Sequence, residues 1–125
     1  MSMPDPGDLA AALTTHARGL AAASAAAELI CAHRYWLTDT RFTHGYITTG
    51  TSTGGSPYAY IHWDDAITAL DQHQISGTGS ERSILRIAAS IADHDIPVHL
   101  AACLGNLDHA NIRLVTTAIT RANGG

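Results

Sequence analysis

At 125 residues the chain has room for one domain, able to bury roughly two thirds of its unfolded surface without disulfide or metal staples. A formal net charge of −4 argues against binding nucleic acid mainly by charge. All seven basic residues are arginine, and the absence of lysine excludes Schiff-base catalysis, a lysine general base and the lysine of a Walker A loop.

Alanine supplies much of the 46% apolar content, while aromatic residues make up only 6%. Alanine is the strongest intrinsic helix former, so the composition favours helices. The N-terminal stretch lacks a basic n-region and carries Asp5 and Asp8 early, so no signal peptide is expected. No segment approaches the ~18 apolar residues of a membrane span. The expectation is a cytoplasmic protein without membrane association.

Residues 1–7, "MSMPDPG", read as a flexible, proline-broken tail, and residues 8–123 as a single helical domain. From Asp8 to Leu37 the apolar spacing is helical. Leu9, Leu13, His16 and Leu20 mark an early stripe, and Ala26, Leu29, Ile30, His33, Trp36 and Leu37 a cleaner later one. Gly19 lies between the stripes, giving either two helices or one bent helix. His33 is an ionisable group on the most apolar face of the chain, and the expected role is a core histidine with a local hydrogen-bond partner. Cys31 and Cys103 both fall in apolar helical contexts and read as small buried hydrophobes rather than a disulfide.

Thr38 or Asp39 can cap a short helical turn carrying Phe42 and Tyr46. Residues 48–57 are nearly all glycine, serine and threonine, a flexible loop by composition. "YAYIHW" alternates Tyr58, Tyr60 and His62 against Ala59, Ile61 and Trp63 and predicts the single short strand. "WDDAITALDQH" is a short helix with a Trp63, Ile67, Leu70 stripe, and Asp64 and Asp65 in its first turn complement the helix dipole.

"SGTGSERSILRIAAS", Ser76 to Ser90, opens like a phosphate-binding loop. Thr78 and Glu81 nevertheless match the [ST]-x-x-[DE] capping box, and Glu81 places a negative charge where a phosphate would sit. A Walker A loop needs GxxxxGK[ST], which is missing here. The stretch is read as a helix start, with Ile84, Leu85, Ile87, Ala88, Ile91 and Ala92 on the apolar face, and no nucleotide or other cofactor is expected. "DHDIPVH" breaks the helix. Its His94–Asp95 dipeptide invites comparison with HD-type phosphohydrolases, for which His33 and Asp108 could be drafted, but no spaced ligand motif supports a metal.

A short helix from Val98 to Leu104 can end at a left-handed Gly105, and Asp108 can cap a last helix with Ile112, Val115, Ala118, Ile119 and Ala122 buried. The three C-terminal helices are helix-turn-helix-like, the last two joined by "GNLD". Ile112 falls seven residues after Gly105, one beyond the common spacing. If the last helix entered the major groove, His109 and Arg113, with Thr117 one turn on, would read bases, while Arg82, Arg86 and Arg121 met phosphates. From Gly77 onward these four arginines face four acids, Glu81, Asp93, Asp95 and Asp108, so the half-domain lacks a basic footprint.

"AAELICAHRYWL", "YIHWDDAITAL", "SGTGSERSILRIAASIAD" with "IPVHL", and "LDHANIRLV" together resemble a group of small uncharacterised actinobacterial proteins. The resemblance runs from about Ala25 onward and implies a compact domain without assigned chemistry. The fold expected is mainly α, a compact bundle of five or six helices with at most one short strand. The function expected is a non-catalytic interaction or regulatory module, acting on a protein partner or by self-association as a homodimer. The alternatives are a helix-turn-helix DNA-binding regulator and, third, an enzyme with a histidine-based site.

Overall fold

A computed structural model describes residues 5–17 and 19–124. The chain is mainly helical, with one small antiparallel sheet. In order it forms α1 (Pro6–Ala17), α2 (Ala21–His33), α3 (Tyr35–Thr38), α4 (Thr40–Tyr46), β1 (Ile47–Thr51), β2 (Pro57–Ile61), α5 (Trp63–Asp71), α6 (Gly79–Ala92), α7 (Leu100–Leu104) and α8 (His109–Ala122). Residues 1–4 of the expected tail lie outside the described residues, and the first helix begins two residues earlier than its apolar pattern predicts.

Eight helices among the described residues replace the five or six expected. The long helical stretch breaks twice, at Gly19 with φ 91° and at Arg34 with φ 73°. The second break was not legible, because arginine is a good helix former and rarely adopts a left-handed backbone. It separates α2 from the single turn α3 and turns Trp36 inward. Trp36 is fully buried, donates its Nε1–H to the carbonyl of Glu81 at 2.9 Å, and packs against Phe42 with ring centroids 5.3 Å apart. Asp39 caps α4, its carboxylate accepting from the amides of Arg41 and Phe42.

Half of the stretch 48–57 is strand, and the loop is confined to residues 52–56. β1 pairs with β2 in the register Ile47↔Ile61, Thr49↔Ala59 and Thr51↔Pro57, so the single predicted strand finds its partner in the glycine- and threonine-rich segment. Threonine is β-branched and suits a pleated surface, which the overall composition concealed. Gly50 faces Tyr58 across the hairpin, and a Cβ there would lie 2.5 Å from the tyrosine hydroxyl. The ring lies over the bare glycine backbone. Ala59 and Ile61 are buried on the side that packs against α1.

The core centres on α2. Ala25, Ala26, Ala27, Leu29 and Ile30 are buried, and α1, α6 and α8 all pack against this helix. Ala25, Leu29 and Ala32 line a seam with Leu114 and Ala118 of α8, and Arg121 of α8 reaches Glu28. Asp108 acts on His33 at one end, and Arg121 and Gly124 lie beside Ala21 and Ser24 at the other, so α2 and α8 are antiparallel. The capping box of α6 is complete, with Thr78 accepting from the Glu81 amide and Glu81 accepting from the Thr78 amide. The short helix α7 begins at Leu100 rather than Val98, and Gly105 is right-handed, with φ −64° and ψ −18°. The Asn106 side chain donates to the Ala102 carbonyl at 3.3 Å, satisfying an end group without a left-handed glycine.

Ala26 is fully buried on α2, where overpacking forces the helices apart. Ala26→Leu is expected to lower the urea unfolding free energy by about 1–3 kcal/mol, with helical circular dichroism retained.

Candidate functional site

The structure divides the six residues singled out for DNA contact into two groups. Arg82 and Arg86 sit one turn apart on α6 and line a cleft of about 560 Å³ bounded by the end of α5, the N-terminal half of α6 and residues 97–106. His109, Arg113, Thr117 and Arg121 lie on α8 and are exposed. Arg113, Thr117 and Arg121 share a shallow outward groove with Thr116 and Thr120. Arg121 is engaged there, its Nε and Nη2 donating to Glu28 at 3.1 and 3.0 Å.

Arg86 donates to Asp71 at 2.6 Å. The Arg82 guanidinium has no partner among the described residues. Like charges at i and i+4 on a helix repel, and the one carboxylate of the cleft, Asp71, engages Arg86 alone. The charged residues lining the cleft are Asp71, Arg82 and Arg86, two positive against one negative. His73 and His99 add two titratable groups to the same wall, and His73 has a left-handed φ of 60°. Ser83 is buried and accepts from the Asn106 amide at 3.2 Å.

Asp71, His73 and Asn106 were missed by sequence reasoning, and His99 was weighed only as a metal ligand beside His94. They come from two segments on either side of α6, and only the Arg82–Arg86 spacing is visible locally. Cys103 and His99 line the same cleft, but the bond between them is from the Cys103 amide to the His99 carbonyl, and the imidazole makes none to the thiol it would have to activate. Both cysteines are free, and burial pushes the Cys31 thiol up from its ordinary value.

The other sequence candidates do not converge. His62 bonds Thr48 across the hairpin, Nε2 to Oγ1 at 2.5 Å, while Asp64 and Asp65 are exposed in the first turn of α5. His94 and Asp95 project into solvent. Among the described residues, no group of three or more His, Cys, Asp or Glu side chains is placed to hold a metal ion.

The glycine-rich turn before α6 is closed to an anion. A Cβ on Gly77 would meet the Glu81 carboxylate at 2.9 Å and the Tyr35 ring at 3.3 Å. The acid and the aromatic ring already fill that space. His33, expected to be a satisfied core residue, is half-buried, and its Nδ1 is buried without a hydrogen-bond partner. Desolvation lowers its pKa below the ordinary 6.5, against the opposing pull of the Glu81 and Asp108 carboxylates.

Comparison of the chain with family models, curated proteins and solved structures found no match. No helix of the described residues is long and apolar enough to cross a membrane.

The His33 shift fixes the sign of one pH dependence. Because the folded pKa lies below the unfolded value, the unfolded chain binds the extra proton first as pH falls through about 6.5. The stability associated with neutral His33 is present above that pH and is lost as pH falls towards the folded pKa. Urea titrations of wild type and His33→Gln at pH 7.5 and 5 are expected to show a smaller acid-induced loss in the variant.

Proposed function

We propose that the chain is a non-catalytic interaction module of a regulatory kind, which docks a second copy of itself through the outward face of α7. One observation carries the reading. α7 spans five residues, of which only Cys103 is buried, and its two leucines stand one turn apart with Leu100 45% and Leu104 38% exposed. A helix this short is not self-sustaining, and its apolar ridge points away from the core that holds it. A two-fold axis would set the same ridge against itself, the commonest way for one patch to serve both partners.

Sedimentation equilibrium tests this. The wild type is expected to dimerise, and Leu100→Ser/Leu104→Ser to sediment as a monomer with unchanged circular dichroism. A double variant that self-associates like the wild type would sink the reading.

The outward face of α8 favours a second reading, DNA binding by a helix-turn-helix-like arrangement of α6, α7 and α8. His109, Arg113 and Thr117 are all exposed there, and Asn111 donates to Ser80 at 2.8 Å, placing the N-termini of α6 and α8 side by side. Arg86 and Arg121 would have to exchange Asp71 and Glu28 for phosphates. In gel-shift titrations on sequences enriched from genomic DNA, Arg113→Ala is expected to cost about 1–3 kcal/mol and to relax sequence preference. Unchanged binding by Arg113→Ala counts against this docking.

A further inference from the structure

We propose that the cleft between α5, α6 and α7 is a binding site for a small organic anion, whose phosphate or carboxylate group lies against Arg82 and Arg86. The site stands whether or not α7 docks a partner.

The cleft volume of about 560 Å³ falls within the range of small-molecule sites. Its charge is out of character with the chain. The whole molecule carries −4, while the charged side chains lining the cleft sum to +1, two arginines against Asp71. Two guanidiniums one turn apart on one helix face, with only Arg86 engaged by a carboxylate, repel each other unless an anion sits between them. Guanidinium groups match phosphate and carboxylate oxygens in a forked geometry.

The rest of the wall suits an organic body. Leu70, Pro97 and Val98 supply apolar surface, while the Asn106 amide and the imidazoles of His73 and His99 supply polar groups at the same opening. The glycine-rich turn adjoins the cleft through Gly79, but Glu81 fills the space beside Gly77, and the proposed seat lies further along the helix.

Titration calorimetry at low ionic strength tests the site, since half-exposed charges are screened by salt. The probes are phenyl phosphate and benzoate, which share an apolar ring and differ in the anionic group, with benzyl alcohol as the neutral control. Saturable binding of one or both anions is expected, with affinity at least tenfold weaker in Arg82→Gln and no binding of the alcohol. Which anion binds more tightly assigns the head group. Arg41→Gln, which removes an equal charge from α4, is expected to bind like the wild type. Failure of both anions to bind, or equal weakening by Arg82→Gln and Arg41→Gln, would overturn the proposal. A folded Arg82→Gln variant that binds as tightly as the wild type would do the same.

Discussion

The structure depends on how closely other helices can approach α2. Three helices share its surface, and three consecutive alanines, Ala25, Ala26 and Ala27, are buried along it. Interaxial distances between packed helices run from about 8 to 10 Å with the size of the contacting side chains, and alanine sets the lower end. Leu29 and Ile30 then fill the space that remains near the C-terminal half. With larger residues at the alanine positions, α1, α6 and α8 could not all reach one central helix of 13 residues.

That arrangement decides what is left outside. α6 gives one face to α2 and turns another towards the cleft, where its arginines stand. α8 gives Val115 and Ala118 to the core and leaves Arg113, Thr116, Thr117 and Thr120 in solvent. The C-terminus of α2 meets the N-termini of both helices, which explains why Glu81 and Asp108, both serving as helix-start groups, also act on His33. Glu81 has three roles at this junction: its carboxylate closes the capping box, its carbonyl holds the Trp36 indole, and its side chain fills the space beside Gly77.

Much of the fold was legible because its signals are local. The Thr78–Glu81 box, the Asp39 and Asp108 caps and the break at Gly19 each depend on residues within one turn. The hairpin was half legible. "YAYI" alternates clearly, but its partner is recognisable only once Tyr58 is known to cover Gly50, a contact between residues eight apart. Arg34 gave no signal, because arginine rarely adopts the left-handed backbone found there. The cleft was legible only as a pair of arginines at i and i+4, which sequence alone treats as a solvated face. What makes it a site is the third wall, His99, Ala102, Cys103 and Asn106, brought over α6 by residues 93–98.

α7 therefore stands between two surfaces. His99, Ala102, Cys103 and Asn106 face the cleft, at the i, i+3, i+4, i+7 spacing of one helix side, while Leu100 and Leu104 fall on another. The buried Cys103 thiol and the side-chain hydrogen bond from Asn106 to Ser83 tie this segment to α6. Local stability follows buried contact, so a segment tied this lightly opens more readily than the helices around α2. An anion held by Arg82 and Arg86 would meet α7 from within, and a partner on the leucines would meet it from outside. Both would favour the same ordered helix, and by linkage each would then strengthen the other. Coupling of this kind would need only the one short helix that the two surfaces share, and no movement of the alanine-packed core beneath it.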